Sequence, residues 1–199
     1  MRTARGEVII TAPTVSLPYS ASDRTETVEV YVQDTDNPSP QVGDQQVELA
    51  LPSSPDVFFT SAGATVDHPY LFAPQAPVPN VTSNVVYGTD YPYQPPYDVS
   101  PPVLADGDGL LMVQLTVKGG TVGDFPLTFN LKTGTDAVGT ALFDQLSDPI
   151  AFTVQNGWID IAPAPVPEPS GIALAGIAVA AGLIAWRRRA RLRRPAEAV

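Results

Sequence analysis

A chain of 199 residues with 44% hydrophobic content can form one ordinary domain with appendages, and a net charge of −10 argues against nucleic acid, whose phosphates need a positive surface. The charge is divided: residues 1–168 hold 5 Lys/Arg against 20 Asp/Glu, a net of −15, whereas residues 169–199 hold 6 Arg against one Glu, a net of +5. With no cysteine, a disulfide framework, a thiolate zinc site and a cysteine nucleophile are excluded.

At the amino end, "MRTARGEVIITAPTVSL" has a basic start, but its longest apolar run is Val8-Ile9-Ile10. An export signal needs an apolar segment of about 7–15 residues. The tail described below makes little sense on a protein that stays inside the cell, so the natural start is expected upstream of Met1.

Strands follow, read from apolar residues recurring with period two. "TVEVYVQ" puts Val28, Val30 and Val32 on one face and Glu29 and Tyr31 on the other. "QVELAL" aligns Val47, Leu49 and Leu51. The lone histidine, His68 in "VDHPY", has no second imidazole with which to share a metal and reads as a surface loop residue.

Residues 69–102 hold nine of the 22 prolines and five of the seven tyrosines. That density opposes ladder pairing and predicts a long ordered loop inserted between two strands. Beyond it, "DGDG" (Asp106 to Gly109) is a turn leading into "LLMVQLTV", which aligns Leu111, Val113, Leu115 and Val117. "KGGTVGD" turns the chain into "FPLTFNL", with Phe125, Leu127, Phe129 and Leu131 on one side. Pro126 cannot donate to a ladder, so it predicts an edge or a bulge. "IAFTV" adds Ile150, Phe152 and Val154, the pair Asn156-Gly157 reads as a tight turn, and "WIDI" closes with Ile159 and Ile161. No part of residues 6–161 sustains a 3.6-residue period. The expectation is all-β: an antiparallel sandwich of seven to nine strands over 6–161, with the insertion at 69–102.

A proline-rich linker, 162–170, leads out of the sandwich and ends in Val166, Pro167, Glu168, Pro169 and Ser170. Gly171 to Trp186 is then uncharged, and Arg187, Arg188, Arg189, Arg191, Arg193 and Arg194 follow within 187–199. Sixteen helical residues span about 24 Å, slightly short of a hydrocarbon core of about 30 Å. Snorkelling arginine stems and an interfacial Trp186 would extend the span. The expectation is one transmembrane helix, 171–186, with the arginines as a stop signal holding the carboxyl end in the cytoplasm.

The order of Pro167-Glu168-Pro169, Ser170, apolar segment and terminal arginine cluster resembles the bacterial PEP-CTERM sorting signal over about 30 residues. The resemblance implies export, transient membrane anchoring, and cleavage near the triplet by an exosortase, a membrane-embedded processing enzyme. The body is similar, over the short stretches "GDGLLMVQLTVKGG" and "IAFTVQNGWIDI", to the cohesin-like branch of carbohydrate-binding-module sandwiches. That likeness implies binding of a partner through one sheet face, without naming the residues or the ligand.

Other constellations are weak. Asp106 and Asp108 could be oxygen ligands for calcium, but two carboxylates lack the remaining spacing of a calcium loop, and a turn is the simpler account. Tyr91, Tyr93 and Tyr97 in "YPYQPPY" could stack sugar rings; packing of the neighbouring prolines explains them more simply. There is no catalytic triad in motif context, no phosphate loop and no zinc motif, so no catalytic residue, metal site or cofactor is expected. The sequence reading is a non-catalytic exported protein, sorted to the cell envelope or extracellular polysaccharide matrix. Its expected partners are the membrane, an exosortase, and an extracellular polysaccharide or surface protein. The alternative reading is a carbohydrate- or protein-binding module displayed on the surface.

Overall fold

Alternation of buried and outward residues builds two facing sheets. The computed structural model describes residues 7–35, 39–90, 101–133 and 138–165, and in the tail 176, 178–184, 186 and 187. In chain order the strands are β1 (Val8–Thr11), β2 (Val15–Leu17), β3 (Arg24–Asp34), β4 (Asp44–Ala50), β5 (Val57–Gly63) and β6 (Val78–Val81). They continue with β7 (Val85–Asp90), β8 (Gly109–Val117), β9 (Gly123–Phe129), β10 (Ala141–Phe143), β11 (Thr153–Gln155) and β12 (Gly157–Ile161). One sheet runs β11-β1-β3-β8-β5; the larger runs β2-β12-β9-β4-β7-β6, with β10 beside β4.

The inward residues foreseen for "TVEVYVQ", "QVELAL" and "LLMVQLTV" form the core. Val28, Val30, Val32, Val47, Leu49, Leu51, Leu111, Val113, Leu115 and Val117 are all buried, alongside Leu127, Ile159 and Ile161. Each large aliphatic side chain removed from water contributes about 1.5–3 kcal/mol, which is why the period-two faces dictate which side of each strand turns inward. The sheets approach closely where Gly88 of β7 meets Leu111 of β8: a Cβ at Gly88 would come within 2.6 Å of Leu111 Cδ1. Gly107, at φ +87°, takes the left-handed turn that "DGDG" requires before β8.

The twelve described strands exceed the seven to nine expected, and the difference has two sources. First, the chain switches sheets twice. β1 pairs parallel with β11 in one sheet and β2 pairs parallel with β12 in the other; β1 and β2, like β5 and β10, fall in stretches where the sequence had shown no strand. Asn156-Gly157 is therefore a crossing between sheets rather than a tight hairpin turn; Asn156 Oδ1 accepts from the Phe129 N–H at 3.0 Å. Second, 69–102 is not one long loop. β6 and β7 within it form an antiparallel pair at the edge of the larger sheet, and Pro79 is tolerated on β6 because that strand is outermost. Proline density hid the inward alternation of Val86, Gly88 and Asp90.

Pro126 lies where β9 pairs with β12 alone; β4 meets β9 only at Phe129 and Thr128. The ladder on its other side is open there, so the missing N–H costs nothing. Leu131, expected inward, is half exposed beyond the end of β9.

The chain divides into two compact units, Met1–Ala164 and Pro165–Val199. In the second unit the expected membrane helix 171–186 is overturned: among the described residues no helix is long and apolar enough to cross a membrane. The described helical residues fall between 176 and 187. Gly176 and Gly182, both helical, are poor helix formers.

Candidate functional site

Most of the residues expected to carry the sorting signal, Val166, Pro167, Glu168, Pro169, Ser170 and Gly171, lie outside the described residues, as do Arg188, Arg189, Arg191, Arg193 and Arg194. Trp186 and Arg187 are helical and exposed. Tyr91, Tyr93 and Tyr97 also lie outside. In the sandwich, Asp108 Oδ2 accepts from the Ala105 N–H at 2.8 Å, closing the turn before β8. Among the described residues no group of three or more His, Asp or Glu could hold a metal ion.

The larger sheet presents an open outer face. Trp158 of β12 lies opposite Pro126 of β9 and is 47% exposed. Toward the other edge, Glu48 of β4 pairs with Tyr87 of β7, and Tyr87 with Asn80 of β6. Asn130 Nδ2 donates to Glu48 Oε1 at 2.6 Å. Lys132 Nζ donates to Gln46 Oε1 at 3.3 Å and stands 5.3 Å from the Phe143 ring centroid. Burial raises the Tyr87 phenol above its ordinary value; the Asp44 and Glu48 carboxylates add to this and a bond with Thr89 opposes it. Burial likewise raises the Asp44 carboxyl, against the Gln46 bond and the Lys132 charge. The face thus carries Asp44 and Glu48 against Lys132, with Tyr87 and Trp158 set among them.

Beneath one end of this face lies a buried polar cluster. Tyr70 Oη donates to Asp90 Oδ2 at 2.8 Å, and Gln45 Nε2 donates to Tyr70 Oη at 3.0 Å and to the Leu110 carbonyl at 2.9 Å. Burial, with Asp90 adding, pushes the Tyr70 phenol far above its ordinary value, so it stays a hydrogen-bond donor at any working pH.

On the outer face of the five-stranded sheet, Glu29 is clamped by the segment after β5. Its Oε1 accepts from the Val66 and Asp67 N–H groups at 2.5 and 3.1 Å, and its Oε2 from the His68 N–H at 2.9 Å. His68 Nδ1 lies 3.0 Å from the same Oε2, and the imidazole stacks on Tyr31 with ring centroids 4.4 Å apart. Burial by itself would raise the Glu29 carboxyl, but the three backbone donors and the His68 ring outweigh it and hold the group below its ordinary value. His68 does sit in a loop, as the sequence indicated, yet it is half-buried and engaged. Nothing local marked this clamp, because the partners are 37 to 39 residues apart.

Residues 165–189 match the model of the PEP-CTERM protein-sorting motif. No curated protein matches the chain in sequence. Among solved structures, a cohesin from Clostridium acetobutylicum is similar at 18% identity and a TM-score of 0.57, covering 82% of this chain and 95% of that one. The non-cellulosomal cohesin of the hyperthermophilic archaeon Archaeoglobus fulgidus is similar at 17% identity and a TM-score of 0.52, covering 78% and 91%. The OlpC cohesin of Clostridium thermocellum, solved in a type I cohesin–dockerin complex, is similar at 12% identity and a TM-score of 0.58, covering 82% and 99%. The body therefore shares the cohesin fold, and the segment that follows it is similar to the PEP-CTERM protein-sorting motif.

Proposed function

We propose that this chain is a non-catalytic exported module, delivered to the cell envelope or extracellular matrix by a carboxyl-terminal signal that an exosortase processes. The observation that carries the reading is the match of residues 165–189 to the sorting motif, starting four residues after the last described strand of the sandwich. Pro167 and Pro169 have no backbone N–H to give to a ladder, a chemistry suited to a segment that an enzyme cleft takes as substrate. Glu168 supplies a single charge for recognition, and the arginines 187–189, 191, 193 and 194 complete the signal. In an exosortase-bearing host, mass spectrometry of the surface form is expected to find a chain ending near Glu168. The double substitution Pro167→Ala, Glu168→Ala is expected to leave the arginines attached and reduce surface delivery at least about tenfold. Unchanged processing of that variant would remove the main support for the reading.

The second reading, a protein-binding module, is favoured by the open acidic face of the larger sheet with its exposed Trp158. Aromatic anchors in a polar surround are what protein interfaces use. A dockerin taken from one of the solved cohesin complexes is the direct probe. Capture by this chain, lost on Trp158→Ser with the fold intact, is the expected result, and failure of a panel of such dockerins to bind would leave the sorting reading alone.

A further inference from the structure

The outer face of the five-stranded sheet holds a cleft that neither reading uses. Strands β3, β8 and β5 set Thr25, Thr116 and Phe58 side by side in one cross-strand row. With Asp23, Arg24 and Lys118 they line a cleft of about 410 Å³, inside the range of about 300–1,000 Å³ in which small ligands bind.

The charged groups at its rim are held in place. Lys118 Nζ donates to Asp23 Oδ2 at 2.7 Å and stands 5.8 Å from the Phe58 ring centroid. Asp23 Oδ1 accepts from the Gly119 N–H at 2.8 Å. Arg24 Nη1 donates to the Pro18 carbonyl at 2.8 Å, and its Nε lies 3.4 Å from Glu26 Oε1. The hydroxyls of Thr25 and Thr116 make no hydrogen bond to the described residues, so they are open to a ligand.

The chemistry of these groups selects the ligand. Arg24 and Lys118 are two of the three Lys/Arg among the described residues of the body, yet Asp23 and Glu26 balance them locally. A strongly anionic ligand would meet Asp23 and a body of net charge −15. A cationic one would meet Lys118. A neutral polyhydroxyl ring satisfies every group: it donates to Asp23, accepts from Lys118, exchanges hydrogen bonds with both threonines, and lays its C–H face on Phe58.

We propose that this cleft is a subsite for a neutral hexopyranose chain, separate from the acidic face of the larger sheet. The test titrates the full chain with cellohexaose, maltohexaose and laminarihexaose, with hexagalacturonate as the acidic comparison, followed by NMR shifts. At least one neutral hexasaccharide is expected to bind with Kd below about 1 mM. Phe58→Ala is expected to weaken it at least about tenfold. Because Phe58 is half-buried and its loss could disturb β5, Lys118→Met provides a second variant at an exposed position, expected to weaken binding several-fold with Tm unchanged. Binding of none of the neutral hexasaccharides, binding of hexagalacturonate alone, or equal affinity in the wild type and both variants would overturn the proposal. None of these outcomes bears on processing at the tail, so the two ideas fail separately.

Discussion

Glu29→Ala is expected to lower the stability of the sandwich by about 2–4 kcal/mol, read as a drop in urea midpoint with unchanged slope. The carboxylate is 7% exposed and accepts from three consecutive backbone N–H groups as well as facing the His68 ring. Truncation leaves those donors without their acceptor and frees the segment that covers this part of the sheet. Hydrogen exchange should locate the loss, with the amides of Val66, Asp67 and His68 becoming the fastest changed. Glu29→Gln should fall between the two, because an amide still offers one acceptor oxygen while its NH2 faces donors. The two variants also differ from the wild type in pH dependence. Since the folded carboxyl titrates below its unfolded value of about 4.3, its contribution is complete above that pH and disappears as pH falls through the lower, folded value. The wild type should therefore lose more stability between about pH 5 and pH 3 than Glu29→Gln does. Equal midpoints for wild type and Glu29→Ala at pH 7 would show that the clamp contributes nothing.

The contrast between this clamp and the strands that surround it explains how far the sequence could be read. β3, β4 and β8 were legible because their burial is decided by neighbours two residues apart, and alternation survives in the one-dimensional string. Glu29 and Tyr31 were correctly placed on the face opposite Val28, Val30 and Val32. What covers that face comes from the segment after β5, and no local pattern announces a contact between positions 29 and 66. β6 and β7 were hidden for a different reason: proline and tyrosine density is a compositional signal averaged over the window, and it outweighed the short alternation of Val86 and Gly88. Asn156 was read as the turn between "IAFTV" and "WIDI", with no local sign that the chain crosses there to the other sheet, and β1 and β2 went unread because each is only three or four residues long on either side of Ala12-Pro13-Thr14.

The tail shows the opposite balance. Its identity was carried by the order of a short motif, which needs no fold, and the motif match recovers it at 165–189. The inference that failed was the physical one, the membrane-spanning helix. An apolar run of borderline length needed snorkelling arginine stems and an interfacial Trp186 to reach across, and among the described residues no helix is long and apolar enough to do so. Composition can say that a segment is apolar; only its continuous helical length decides whether it reaches across a bilayer.

Gly157→Ala is expected to cost at least about 3 kcal/mol, a large share of a domain stability of about 5–15 kcal/mol, and Gly157→Val more. Gly157 stands where both pairs of parallel strands change sheets. A Cβ there would overlap the Pro13 carbonyl oxygen and come within 2.6 Å of that of Ala12. These are backbone atoms between β1 and β2, so relief requires the chain itself to move. That chain is tied on both sides, by Ala12 N–H donating to the Gln155 carbonyl at 2.9 Å and by Val15 in register with Ile159. Movement at Pro13 therefore loosens β1 from β11 and β2 from β12 together. Gly63 of β5 supplies the comparison, since a Cβ there would meet only Met112 Cε, at 3.7 Å. Alanine at position 63 fills open space in a strand and is expected to be neutral or to stabilise by about 0.5–1 kcal/mol, by restricting the unfolded chain. The same chemical change thus has opposite signs at two strand positions, decided by whether backbone or a flexible side-chain tip lies opposite. Thermal unfolding of the two alanine variants side by side measures this, and similar small shifts for both would mean that the crossing is not closely packed.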